Sequence, residues 1–132
     1  QDNPDYKDVV GEVLAFLAQR KKDCLAAGIE ADQIILDPGF GFGKTLEHNL
    51  TLFKALDQFS ASGDPVLVGV SRKSMIGQML GSDVDQRLIG SVTMAILAAQ
   101  QIDAAHGALI LRVHDVRETV QALRVWQNST NI

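Results

Sequence analysis

Cysteines, metal-binding clusters and long apolar runs are scarce in this chain of 132 residues, and each shortage excludes a class of protein. The single cysteine, Cys24, excludes an internal disulfide and is typical of a reducing compartment, so we expect a cytoplasmic protein. No apolar run reaches the ~18–20 residues of a membrane span. No zinc spacing and no Ser-His-Asp arrangement is evident. The formal charge of −4 gives little reason to expect nucleic acid or a membrane as partner.

Apolar residues follow helical spacing in five segments and form short continuous runs in three. The helical spacing predicts helices over roughly residues 6–26, 46–59, 74–80, 85–107 and from Asp115 onward. The continuous runs predict strands at Ile34–Leu36, Val66–Val70 and Leu109–Val113. Such runs are typical of parallel strands covered on both faces. The sequence therefore predicts a single α/β domain with parallel strands in the order α-β-α-β-α-β-α.

The helix ends carry recognisable capping residues. Glycines follow the helical spacing at three places and predict helix ends there: Gly28, Gly63 and Gly107. Asp85, or a residue near it, is expected to cap the fourth helix. Asp115 with Glu118 three residues later has the pattern of a capping box for the last helix.

The segment from Ile34 to Lys44, IILDPGFGFGK, predicts a ligand site. A buried strand delivers Asp37 to its own C-terminal end, and a loop with three glycines and two phenylalanines follows. Such a loop exposes both backbone and aromatic surface. Gly43-Lys44-Thr45 is similar to the end of a phosphate-binding P-loop, but that motif needs glycine where Pro38 stands. A P-loop nucleotidase is therefore not expected.

Polar residues also follow the other two predicted strands, and parallel strands bring such ends to one side of a sheet. The second strand is followed by Ser71-Arg72-Lys73-Ser74. Arg112 and His114, two residues apart, share one face of the third strand. Together with Lys73 they suit an anion such as a phosphate. Asp37 is the acid among them, and a carboxylate can accept two parallel N–H bonds from an aminopyrimidine-type ring.

Structural roles are alternatives for each of these residues. Asp37 can cap a turn, Arg72 and Lys73 can lie in a solvated loop, and His114 can be a structural histidine. Phe40 and Phe42 can belong to the core. His48 and His106 are expected at the surface, and Trp126 in packing or an interface.

Three motifs, DPGFGFGK, VGVSRKSMIG and LRVHDV, closely resemble the C-terminal half of the dihydropteroate synthase family in order and separation. This resemblance extends over all 132 residues and implies part of a (β/α)8 barrel. It implies an enzyme that joins 6-hydroxymethyl-7,8-dihydropterin pyrophosphate to p-aminobenzoate and releases pyrophosphate, with Mg²⁺ as cofactor. A homodimer through the last helices is also implied.

The resemblance assigns roles to residues of this chain. Asp37 would bind the pterin ring, and Arg112 and His114 would hold the pyrophosphate. The residues implied around p-aminobenzoate are Gly41, Phe42, Arg72, Lys73 and Ser74. Catalysis would rest on Lys73, Arg112 and His114, and no metal ligand is implied in this chain.

The chain starts without methionine and corresponds to only half of the family's barrel, so it resembles a fragment. The family's N-terminal half carries the asparagine linked to magnesium, and we expect slow turnover without it. Two alternatives stay open. One is a related pterin-binding methyltransferase, which needs no pyrophosphate site. The other is a non-catalytic half-barrel that assembles with itself or with its other half.

Overall fold

A computed structural model describes residues 6–81 and 83–130 of the chain. Within these ranges, six α-helices, two short 3-10 turns and two strands follow one another in α/β order. The helices are α1 (Val9–Ala26), α2 (Leu46–Lys54), α3 (Leu56–Ser60), α4 (Ser74–Leu80), α5 (Leu88–Ala104) and α6 (Val116–Thr130). The strands are β1 (Val66–Val68) and β2 (Leu109–Leu111), and the 3-10 turns are Ala31–Gln33 and Val84–Gln86. Within the described ranges, no helix is long and apolar enough to cross a membrane.

The sheet is parallel, as predicted, with β1 at its centre. Val66 pairs with Leu109 and Val68 with Leu111. On the other side of β1, Leu36 forms a single parallel bridge with Val66, and its amide donates to the Pro65 carbonyl at 2.9 Å. The predicted strand at Ile34–Leu36 is therefore reduced to one bridge, and the other two strands end two residues earlier than predicted. The pairing ends at the Arg112 amide, which donates to the Val68 carbonyl at 3.0 Å, where the chain turns into loops.

The core lies between the sheet and the helices. Its largest fully buried side chains come from β1, from α2 to α5 and from the loop after Leu36: Phe40, Leu52, Leu56, Phe59, Val66, Val68, Met75, Ile76 and Ile102. Burying apolar surface of this kind is the main stabilising term in folding. The core matters for the site because it holds the C-terminal ends of β1, β2 and the Leu36 segment in fixed relative positions.

The single helix predicted over 46–59 is wrong, because the chain breaks at Ala55 (φ −106°, ψ 17°) into α2 and α3. The Gln101 side chain of α5 donates to the Phe53 carbonyl at 2.7 Å. A carbonyl released from a helix needs another partner when it is buried. A hydrogen bond from a distant helix thus supports the break. The spacing of apolar residues within 46–59 carries no information about this bond, so the break was not predicted.

Three of the predicted helix caps also differ from the structure. Asp85 lies in a 3-10 turn, and α5 starts at Leu88 after Arg87. At the other end of α5, the left-handed residue is His106 (φ 56°), while Gly107 donates to the Ile102 carbonyl. A Cβ on Gly107 would approach the Ser60 Cβ at 2.7 Å, so packing against α3 requires this glycine.

The third difference is at the start of α6. The Asp115 carboxylate accepts hydrogen bonds from Arg72 instead of forming the predicted capping box.

Candidate functional site

The loops that follow Leu36, β1 and β2 meet at one edge of the sheet. The loops after the two strands enclose a cavity of about 500 Å³. Five of its eight lining residues are polar or cationic, and the lining consists of Gly69, Ser71, Arg72, Lys73, Val84, Arg112, Val113 and His114. The structure therefore brings the three predicted anion-binding residues, Lys73, Arg112 and His114, to a single concave surface.

Arg112 lies directly against the backbone of Gly69. A Cβ built on Gly69 would overlap the Arg112 guanidinium, and its three nearest atoms all belong to that group. Only glycine leaves room for so close an approach of a side chain to the backbone. Gly69 was not among the predicted site residues, because a glycine at the end of a strand has several structural explanations.

Ser71 fixes the orientation of the His114 ring. The buried Ser71 hydroxyl lies 2.9 Å from Nδ1 of His114 and accepts from the His114 backbone amide at 3.2 Å. Since a buried hydroxyl hydrogen needs an acceptor, we assign Ser71 Oγ as donor and Nδ1 as acceptor. In the neutral ring this leaves the proton on Nε2, which can then donate to an anion.

Lys73 connects the cavity to the glycine-rich loop after Leu36. Its ammonium donates to the Phe40 carbonyl at 2.6 Å and lies 4.8 Å from the centre of the Phe42 ring. Burial and the neighbouring Arg112 charge lower the pKa of Lys73 below its usual value of 10.5, while Asp37 acts in the opposite direction. The Lys73 stem also packs on Gly41, whose φ of +87° favours glycine.

The two phenylalanines of the loop have different positions. Phe40 is 1% exposed and belongs to the core, whereas Phe42 is 67% exposed. An exposed ring beside a cation offers a flat apolar surface to an aromatic ligand. Buried Asn49 accepts from the Gly41 amide at 2.9 Å and holds this loop on α2. Its role was not predicted, because an asparagine inside a helix gives no sign of a distant loop partner.

Asp37 is exposed and has a local structural role as well. Its carboxylate accepts from the Gly39 amide at 2.9 Å, which is the turn-capping role considered above. It lines a neighbouring cavity of about 410 Å³ together with Pro38, Gly39 and Lys44. Lys44 donates to the carbonyls of Gly39 and Phe42, and burial lowers its pKa. The loop is thus closed on itself, with the Asp37 carboxylate at its accessible edge.

Arg72 is paired with a carboxylate and Ser74 lies outside the cavity lining, whereas Lys73 lines the cavity. Arg72 donates to Asp115 through Nε and Nη2, at 3.2 and 2.7 Å. These hydrogen bonds raise the pKa of Arg72 and lower the pKa of Asp115. The Arg72 guanidinium therefore already has a carboxylate partner at the rim of the cavity. Ser74 begins α4 and is exposed, and it is not part of the cavity lining.

The described residues contain no group of three or more histidine, cysteine, aspartate or glutamate side chains that could hold a metal ion. The donors around the 500 Å³ cavity are cationic or N–H groups, which suit anions and repel Mg²⁺. The residues at this site therefore fit an anionic ligand and do not fit a protein-held metal.

Comparison with known protein families decides which class of protein carries this site. The model of the family described as pterin binding enzyme matches residues 1–114. The chain belongs to the pterin binding enzyme family. Asp37 and the glycine-rich loop lie within the matched segment, and so do Lys73, Arg112 and His114.

Several dihydropteroate synthases are similar to this pterin binding family member. The *Haemophilus influenzae* enzyme is 52% identical over 131 residues, which cover 99% of this chain and 46% of that protein. The *Escherichia coli* K12 enzyme is 49% identical and is covered to 43%. The chain thus spans a little under half the length of these curated relatives.

Solved structures show the same likeness. *Yersinia pestis* dihydropteroate synthase in complex with a sulfonamide drug has a TM-score of 0.91 and 44% identity, and the match covers 100% of this chain and 46% of that one. The *Xanthomonas albilineans* enzyme with 7,8-dihydropteroate has a TM-score of 0.91 at 46% identity and is covered to 48%. The prediction of a partial (β/α)8 barrel agrees with this similarity.

Proposed function

We propose that this pterin binding family member is the C-terminal part of a dihydropteroate synthase. It would act in the condensation of 6-hydroxymethyl-7,8-dihydropterin pyrophosphate with p-aminobenzoate to 7,8-dihydropteroate and pyrophosphate. The observation that carries the proposal is the grouping of Lys73, Arg112 and His114 around one cavity, beside exposed Phe42. Relatives with this sequence pattern are named dihydropteroate synthase.

The proposed reaction needs a site that stabilises a leaving anion. The bond between the pterin methylene carbon and the pyrophosphate oxygen breaks, and the oxygen keeps the electron pair. The arylamine nitrogen forms the new bond to the methylene carbon and then loses a proton. Cationic groups fixed in advance stabilise the developing charge without reorganising. In this proposal, Arg112 and the His114 Nε2–H would hold the pyrophosphate in this step.

The remaining side chains suit the two ring systems. Asp37 would accept two N–H bonds from the pterin, and Phe42 would form an aromatic wall for p-aminobenzoate with Gly41 and the Lys73 stem behind it. One solved relative, from *Xanthomonas albilineans*, contains 4-aminobenzoic acid. The proposed contacts of Arg72 and Ser74 with this substrate would lie at the rim of the site.

The resemblance implies Mg²⁺ as cofactor, and we propose that its protein ligand lies in the part of the family's barrel that this chain does not match. We also propose a cytoplasmic location, because a single half-buried cysteine is typical of proteins in a reducing compartment.

Calorimetry with inorganic pyrophosphate tests the anion site in the 132-residue chain. We expect pyrophosphate to bind, and Arg112→Ala to weaken binding about tenfold or more, because charge-assisted hydrogen bonds are the strong ones. Arg124→Ala is the matched control, since it removes the same charge from an exposed position on α6. Equal affinity of both variants, or no pyrophosphate heat at all, would refute the site.

Turnover tests the completeness of the active site. We expect the isolated chain to form dihydropteroate far more slowly than the full-length *Haemophilus influenzae* relative, of which it spans 46%. A comparable rate would contradict this expectation. Methyl transfer from methyltetrahydrofolate, without any response to pyrophosphate, would favour the methyltransferase alternative instead.

We also propose a homodimer through the C-terminal helices. Exposed apolar side chains lie along α5 and α6: Leu88, Ile89, Leu97, Val116, Val120 and Val125. Ile89 and Leu97 line an apolar groove of about 540 Å³ between α2, α4 and α5. Exposed apolar side chains and apolar grooves of this kind are typical of protein interfaces. A non-catalytic half-barrel that assembles with itself would also expose apolar surface, and a strict monomer in solution would count against both kinds of self-assembly.

A further inference from the structure

Arg72 has a backbone conformation that residues with a side chain rarely adopt. Its φ is +58°, and within the described ranges only one other non-glycine residue, His106, has positive φ. Arg72 lies between Ser71, which orients the His114 ring, and Lys73. The conformation at Arg72 thus determines where both flanking residues of the proposed anion site lie. A conformation of this kind persists only when the surroundings hold it.

Two residues at the start of α5 bind both backbone polar groups of Arg72. The Arg72 amide donates to the Ser91 hydroxyl at 2.9 Å, and the Arg72 carbonyl accepts from Nη1 of Arg87 at 2.8 Å. The Ser91 hydroxyl in turn donates to the Arg87 carbonyl at 2.6 Å. These three hydrogen bonds form a clamp, which we define as Arg87 and Ser91 acting on the Arg72 backbone.

The Arg87 side chain is itself held by α4. A Cβ on Gly77 would lie 2.5 Å from its Nη2, so the guanidinium packs directly on the Gly77 backbone. Its Nε is buried and has no hydrogen-bond partner in the described structure. An unpaired buried donor costs stability, so this placement of Arg87 carries a penalty at Nε. The hydrogen bond from Nη1 to the Arg72 carbonyl offsets that penalty.

We propose that Arg87 and Ser91 are positioning residues for the anion site, and this rests on the proposed function above. Neither side chain lines the cavity, so neither is expected to touch the ligand. The clamp holds the left-handed turn at Arg72, which keeps Lys73 over the Phe42 ring and Ser71 against His114. Asp115, directly before α6, anchors the Arg72 side chain as a third support.

The test compares Ser91→Ala with Thr93→Ala in the 132-residue chain. Thr93 is the matched control, because its hydroxyl makes the same backbone bond, to the Ile89 carbonyl at 2.7 Å, on the same helix but does not reach Arg72. We expect Ser91→Ala to weaken pyrophosphate binding about fivefold, by the loss of one hydrogen bond, and Thr93→Ala to leave it unchanged. Amide hydrogen exchange at Arg72 and Lys73 should accelerate in Ser91→Ala alone.

Each outcome decides the proposal. Unchanged affinity together with unchanged exchange in Ser91→Ala overturns the clamp, and so does an equal loss of affinity in both variants. If the unsubstituted chain binds no pyrophosphate, the proposed anion site fails, and the exchange at Arg72 alone then decides whether the clamp exists. Arg87→Met provides a second variant that removes the bond to the Arg72 carbonyl.

Discussion

Gly69 determines where the Arg112 guanidinium can lie. A methyl group at this position would overlap the guanidinium, so we expect Gly69→Ala to displace Arg112 and to weaken pyrophosphate binding about tenfold. A double-mutant cycle measured by calorimetry checks the cause. In the Arg112→Ala background the Gly69 substitution should have no further effect. An undiminished effect there would show that Gly69 acts on something other than Arg112.

The pKa of Lys73 responds to burial and to neighbouring charges of both signs. Burial lowers this pKa most, Arg112 and Lys44 lower it as well, and Asp37 raises it. We therefore expect Arg112→Ala to raise the Lys73 pKa towards 10.5 and Asp37→Asn to lower it further. Because a neutral amine attracts an anion less, pyrophosphate affinity should fall as the pH rises through this lowered pKa.

Nuclear magnetic resonance of ¹³C-methylated lysines can follow the Lys73 titration. Arg124→Ala, which removes a charge far along α6, should leave the Lys73 pKa unchanged. Shifts of the same sign in Arg112→Ala and Asp37→Asn would contradict the arrangement of charges around Lys73.

At the scale of elements, an ion pair joins α1 to the segment before β1. The Lys21 ammonium lies 2.7 Å from the Asp64 carboxylate, which also accepts from the Ser62 hydroxyl at 2.8 Å, and Asp64 is buried. Removing one partner of a buried pair leaves the other without compensation. We expect Asp64→Ala to lower the free energy of unfolding by about 2 kcal/mol, less than for a fully buried pair because Lys21 is partly exposed.

Urea denaturation of Asp64→Ala and Asp23→Ala provides the comparison. Asp23 pairs with Arg20 on the exposed side of α1 at 3.8 Å, and exposed pairs contribute at most ~1 kcal/mol. Equal losses in the two variants would show that burial of Asp64 has no special importance.

Local sequence patterns predicted the existence of elements better than their ends. The spans of α1 and α4 and the parallel direction of β1 and β2 were predicted, because hydrophobic period and continuous apolar runs are local properties. The break at Ala55 and the start of α5 were not, because they depend on Gln101 and Arg87 reaching distant carbonyls. Asp115 was predicted as a helix cap, yet Arg72, 43 positions away in sequence, binds its carboxylate.

At the scale of the whole molecule, the homodimer proposal predicts a mass of twice the 14.3 kDa chain in solution. Ile89 is 80% exposed, and we expect Ile89→Glu to give a monomer, because a charge is costly in an apolar interface. Ala104→Glu is the control, since it adds the same charge to the exposed end of α5. Light scattering measures both. A monomer of the unsubstituted chain would contradict the proposal, as would a dimer in Ile89→Glu.

The sequence by itself determined the α/β class, the three polar strand ends and the family resemblance, because motif order and hydrophobic period are properties of the chain alone. The tertiary structure alone decided that Phe40 is core while Phe42 is exposed, and that Gly69 makes room for Arg112. It also decided that Arg87 and Ser91 hold the Arg72 turn. These features depend on contacts between loops that are far apart in sequence. The loops come into contact because the elements that carry them pack on one buried core.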